Sequence, residues 1–156
     1  MAIASRFNHC EFCASLSQNP PRREPDMSLT PYLYFKGECE NALHFYEACG
    51  LGKILELRRH EGSPLAEREG GAWRDKVLHS VFEGPSLRLC ASDGPDSEPM
   101  KGCALFIEEN ETEAAAMFAA LSEGGRVTVP FKKQFWGDHY GNFTDRFGVQ
   151  WAISGR

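Results

Sequence analysis

The sequence predicts an α+β domain of two βαβββ modules arranged as an open barrel, with the helices outside. Three observations predict it. Strand-like runs alternate with only two long helical segments, and the order of elements repeats. A shift of 73 residues then overlays Glu40 on Glu113, Ala42 on Ala115, Phe45 on Phe118 and Gly52 on Gly125. A repeat of that size decides the architecture, because four strands per half cannot bury both sheet faces alone.

The elements of the first half follow in order. PYLYFKG, residues 31–37, reads as an apolar strand that ends in a glycine. ECENALHFYEACG then places Ala42, Leu43, Phe45, Tyr46 and Cys49 on one helical face, with Gly50 as the C-terminal stop. GKILELRRH is a strand, SPLAEREGGAWRD a polar loop, and KVLHSVFE and SLRLCAS form a hairpin around Gly84-Pro85. In the second half GCALFIEE is a strand, Thr112 caps the helix EAAAMFAALSEGG, and RVTV is a strand. HYGNFT and VQWAIS complete the module around the turn DRFG, preceded by the aromatic loop KKQFWGD.

Composition bounds the function classes. The chain has 156 residues, 42% hydrophobic and 25% charged, as expected of an ordinary globular protein. No apolar run approaches the roughly 20 residues of a membrane span. A net charge of −5 and no basic cluster larger than a pair argue against a nucleic-acid partner. Residues 1–26 carry no sustained period and no signal or transit pattern, so they are expected to be a flexible extension. The domain is expected to start at Met27 and run to residue 156, which is 156 − 26 = 130 residues. The six cysteines are expected to be reduced, in a cytoplasmic protein. Cys10 and Cys13 form a C-x-x-C pair without the second pair that a structural zinc site needs.

Period-two alternation assigns faces. With Gly84-Pro85 as a two-residue turn, Val81 opposes Arg88 and His79 opposes Cys90 on the cavity face. Ser80, Phe82, Leu87 and Leu89 go under the helix. With a four-residue turn at 145–148, Phe143 opposes Gln150, Gly141 opposes Ala152 and His139 opposes Ser154 on the cavity face, while Trp151 and Ile153 go under the helix. His79 is the candidate acid or base and Arg88 the candidate anion anchor. The competing reading is that both only line a wet groove and pair with neighbours such as Glu83. His44 and His60 are expected at the surface, and Phe135 and Trp136 either close over the cavity or fill a subunit contact.

The stretches PYLYFKGECENALHFYEACGLG, LHSVFEGPSLRLCASD and FWGDHYGNFTDRFGVQWAIS together resemble the PhnB-like branch of the vicinal oxygen chelate superfamily. That branch carries the label 3-demethylubiquinone-9 3-methyltransferase, although no glycine-rich nucleotide site on a parallel sheet supports a methyl donor here. The resemblance spans residues 29–153, with Arg146 standing where the family usually has proline. The superfamily's metal positions, on the first and fourth strands, fall on Pro31, Arg88, Cys103 and Ala152, a set unsuited to a divalent ion. No metal and no other cofactor is therefore expected. The resemblance also turns Cys103 toward the shared interior. The expected protein is a homodimer with a small-molecule cavity, an anion being the favoured ligand, and with no nucleic-acid or membrane partner. His79 and Arg88 are the catalytic candidates; Cys90, Cys103, Gln150 and Trp136 are the substrate-binding candidates. A metal-independent enzyme and a non-catalytic binding or resistance-type protein are the two functions that fit.

Overall fold

The computed structural model describes residues 29–156. The expected extension and the Cys10–Cys13 pair lie outside them. The elements are β1 (Tyr32–Phe35), α1 (Cys39–Ala48), β2 (Lys53–Arg59), α2 (Pro64–Arg68), β3 (Val77–Glu83), β4 (Arg88–Asp93), β5 (Leu105–Glu109), α3 (Glu111–Leu121), β6 (Arg126–Lys133), β7 (His139–Thr144) and β8 (Gln150–Gly155). They build two four-stranded sheets, ordered β1-β4-β3-β2 and β5-β8-β7-β6. In each sheet the first pairing is parallel and the others antiparallel. This is the predicted βαβββ repeat, with neither sheet closed into a barrel.

Local chemistry explains the elements. Helix α1 buries Cys39, Ala42, Leu43 and Tyr46, a stripe at spacings of three and four residues. It stops as predicted at Gly50, where φ is +79°. The Gly50 amide donates to the Glu47 carbonyl and the Leu51 amide to that of Tyr46, closing the last turn. Gly52 and Gly125, which the repeat overlays, do the same work in both modules. A Cβ at Gly52 would meet the Glu83 carbonyl oxygen at 2.3 Å, and one at Gly125 the Thr144 oxygen at 2.4 Å. Each lets the second strand of its module pass against the end of the third.

Several expectations are corrected. The loop after β2 contains the short helix α2, capped by the Ser63 hydroxyl, which accepts from the Ala66 amide, and started by Pro64. Helix α3 is capped by Asn110 rather than Thr112; its Oδ1 accepts from the Glu113 amide at 3.0 Å. His60 is buried, with Nε2 3.1 Å from the Asp93 carbonyl and Nδ1 3.2 Å from the Ser63 hydroxyl, whereas His44 is exposed as expected. The first hairpin pairs Glu83 with Arg88 and Val81 with Cys90, two residues further from the turn than predicted. A slip of two preserves faces, so Val81, His79, Arg88 and Cys90 still lie on the side away from α1.

The second hairpin has a five-residue turn and pairs Phe143 with Trp151, Gly141 with Ile153 and His139 with Gly155. That slip of one residue turns Phe143, Gly141 and His139 to the helix side, where a Cβ on Gly141 would meet the Phe118 ring at 2.5 Å. Its cause is the buried Asp145. Its Oδ1 accepts from the Phe147 and Val149 amides, both at 2.9 Å, and folds the chain over itself for one residue more.

The modules meet through α1 and this turn. Tyr46 donates its hydroxyl to Asp145 Oδ2 at 2.8 Å, and Trp151 Nε1 donates to the same oxygen at 2.9 Å. Phe45 packs on Phe147, and the Arg146 guanidinium lies 4.6 Å over the Phe45 ring while donating twice to the Glu123 carbonyl. Arg146, the departure from the family pattern, thus holds the turn against both modules.

Candidate functional site

In the first sheet Leu33, Phe35, Phe82, Leu89 and Ala91 are buried on the side that α1 covers. The opposite, open face carries Tyr32 and Tyr34 from β1, Cys90 and Ser92 from β4, and His79 and Val81 from β3. The Tyr32 hydroxyl is 3.1 Å from His79 Nδ1, and the Tyr32 and Tyr34 rings stack with centroids 4.9 Å apart. Burial pushes the Tyr32 phenol above its usual value, with the nearby Ser92 hydroxyl opposing. Across from His79 on β2 stands Arg58, paired with Glu56.

Arg88 does not join this group. It opens β4 at the hairpin mouth, half-exposed, with its Nη1 3.5 Å from Glu83 Oε1 directly across the ladder. His79 lies four residues along β3 from Glu83, about 13 Å at the usual strand rise. Arg88 is thus neither buried nor without a partner, so its surroundings do not require a bound anion.

The remaining sequence candidates are also dispersed. Cys90 neighbours Tyr32 in the parallel ladder. Cys103 is exposed and precedes β5, so it is outside the sheet; the open-face residues of β5 are Phe106 and Glu108. Gln150 donates its Nε2 to the Met100 carbonyl at 2.8 Å, holding the linker between modules. Trp136 sits half-exposed on its loop, packed edge-on with Tyr140 at a ring-centroid distance of 5.9 Å.

Where β1, the linker and the β7–β8 turn converge there is a pocket of about 780 Å³. Tyr32, Tyr34 and Lys36 line one side, and Met100, Arg146 and Phe147 the other. Tyr32 is therefore shared between the polar cluster and the pocket. Sequence reasoning missed both tyrosines because it treated β1 as an apolar strand. The signal was the alternation Y-x-Y, which puts both on one face.

The fold and these motifs coincide with one family. The family described as 3-demethylubiquinone-9 3-methyltransferase matches residues 27–154, and the two-module fold is that of the vicinal oxygen chelate superfamily. The chain belongs to this PhnB-like family. A solved structure from Pseudomonas aeruginosa is 35% identical, with a TM-score of 0.73 over 83% of this chain and 98% of that one. The PhnB protein of Bacillus cereus, described as a putative 3-demethylubiquinone-9 3-methyltransferase, has a TM-score of 0.71 at 19% identity, over 83% of this chain and all of its own. The Escherichia coli protein YjdN is 24% identical over 139 residues, 82% of this chain and 95% of its own length. The fosfomycin resistance protein FosX of Listeria monocytogenes shares the fold, with a TM-score of 0.62 at 9% identity over 84% of this chain and 93% of that one.

The superfamily's metal chemistry does not fit the residues at hand. The open-face positions of the first and last strands of the two modules are held by Tyr32, Tyr34, Arg88, Cys90, Ser92, Phe106, Glu108, Gln150, Ala152 and Ser154. The one carboxylate in that set, Glu108, is 2.6 Å from Arg156 Nη2. Among the described residues no group of three or more His, Cys, Asp or Glu side chains is placed to hold a metal ion.

Proposed function

We propose that this PhnB-like protein binds a small organic molecule in the junction pocket and transforms it by proton transfer, without a metal. The observation that carries the reading is the Tyr32–His79 contact at the wall of a pocket large enough for a drug-sized ligand. Imidazole and phenol in contact supply an acid and a base whose protons can be exchanged locally. The pocket itself is lined by both signs of charge, Lys36 and Arg146 against Glu38 and Glu98. A neutral or weakly polar ligand suits that balance better than the anion expected from sequence. FosX was crystallised with Mn(II) and a dihydroxypropylphosphonic acid. The donor set here differs, so what carries over is only the habit of holding a small ligand in this fold.

A non-catalytic sequestering protein is the second reading, favoured by the apolar share of the lining, Tyr34, Met100 and Phe147. We place the protein in the cytoplasm as a twofold homodimer, in which the exposed Phe135, Trp136 and Phe106 find cover. Among the described residues no helix is long and apolar enough to cross a membrane.

The test is native mass spectrometry of the purified protein incubated with a small-molecule extract. The expected result is one ligand per chain, absent from a Met100→Trp variant that fills the pocket. Recovery of the ligand chemically changed supports the enzyme, and recovery unchanged supports the binder. Ligand capture that Met100→Trp leaves intact defeats the pocket reading.

A further inference from the structure

The Tyr32–His79 contact has an unusual span. Tyr32 is on β1 and His79 on β3, with β4 between them. Two strand spacings of about 4.8 Å separate their backbones. The Tyr32 ring therefore lies along the sheet, across β4, rather than standing off it. It is held there from both sides, by the Tyr34 stack at 4.9 Å and by the imidazole at its hydroxyl end. Tyr32 lines the junction pocket; His79 does not.

On the assumption that the pocket is the ligand site, we propose that the ligand extends from the pocket along the Tyr32 ring to its hydroxyl, so that Tyr32 is the residue that touches the ligand's polar atom. His79 then acts through it as a positioning residue, and the ligand is a small planar molecule carrying a hydrogen-bond acceptor, of the aromatic ketone class. The phenol stays protonated because burial disfavours its anion. A His79 that donates from Nδ1 makes the phenol oxygen an acceptor and leaves the Tyr32 O–H free to donate to the ligand. Arg58, the charged group across the ladder from His79, is already paired with Glu56. Beside the hydroxyl, the stacked tyrosines with Met100 and Phe147 offer flat apolar contact to a ring.

Two probes of nearly equal shape isolate the polar contact: acetophenone, with a carbonyl, and ethylbenzene, without one. Their affinities for the full chain are measured by NMR titration. The wild-type protein is expected to prefer acetophenone by roughly tenfold, the scale of one neutral hydrogen bond. Tyr32→Phe, which keeps the ring, should erase the preference while leaving ethylbenzene binding unchanged. His79→Leu should reduce it, and His79→Asn, whose amide can take the place of Nδ1, should restore it. A preference that survives Tyr32→Phe overturns the proposal. So does the absence of any preference while Met100→Trp abolishes binding of both probes, which would leave the pocket reading standing. Failure of both probes to bind also overturns this proposal, while the pocket reading then stands or falls by the extract experiment with Met100→Trp.

Discussion

Replacing Asp145 tests whether one buried carboxylate holds the two modules and the pocket wall in place. The residue is 4% exposed and accepts four hydrogen bonds, from the Tyr46 hydroxyl, Trp151 Nε1 and the amides of Phe147 and Val149. Burial and the adjacent carboxylate push the Tyr46 phenol far above its usual value, so it stays a donor. Asp145→Ala strands all four donors. The two amides can turn toward water as the loop relaxes. Tyr46 and Trp151, 0% and 1% exposed, cannot. At about 1–3 kcal/mol for each buried donor left without a partner, the loss should be about 3–5 kcal/mol. With a urea slope near 2 kcal/mol/M, the unfolding midpoint should fall by about 2 M. Asp145→Asn should cost less, about 1–3 kcal/mol, because the Tyr46 hydroxyl can rotate to accept from the new amide while the indole N–H cannot. Combining Asp145→Ala with Tyr46→Phe should cost less than the sum of the two single changes, since the hydroxyl is then no longer stranded. Equilibrium urea denaturation followed by tryptophan fluorescence reads all of these. A loss below about 1 kcal/mol for Asp145→Ala, or strict additivity with Tyr46→Phe, would refute the argument.

Five further outcomes are expected. Arg88→Met should change stability by no more than about 0.5 kcal/mol and leave ligand affinity unaltered, because its pair with Glu83 is half-exposed and 3.5 Å long; a tenfold loss of affinity would return Arg88 to the site. Burial pushes the Cys39 thiol up to about 12, so iodoacetamide at pH 8 should label exposed Cys103 and spare Cys39, as peptide mapping would show. The same shift makes the folded thiol the weaker acid. Its contribution to stability is complete below the unfolded value near 9 and declines as pH rises toward 12, a slope that Cys39→Ala should lack in urea titrations across that range. Light scattering at micromolar concentration should give 2 × 17.5 = 35 kDa, and metal analysis well under one equivalent of any transition metal, with no change in melting temperature on adding a chelator.

The sequence by itself determined the module order, the repeat, the stop of α1 at Gly50 and the family, because each rests on a pattern read within one element or one motif. It also determined the faces of the first hairpin despite a wrong turn length, since a slip of two residues leaves alternation unchanged. The second hairpin shows where that safety ends. There the Asp145 side chain enlarged the turn by one residue and reversed β7, a choice made by a buried carboxylate whose partners Tyr46 and Trp151 come from α1 and β8. The candidate site was legible only in part for the same reason. His79 and Cys90 could be placed on the open face from period alone. Tyr32 reached them only through the parallel β1–β4 pairing, which joins strands more than fifty residues apart and leaves no local mark in the chain. The separation of Arg88 from His79, the burial of His60 against Asp93 and the pocket between β1 and the β7–β8 turn were likewise decided by tertiary structure. Each depends on which distant surfaces meet, and only packing of the whole core selects that.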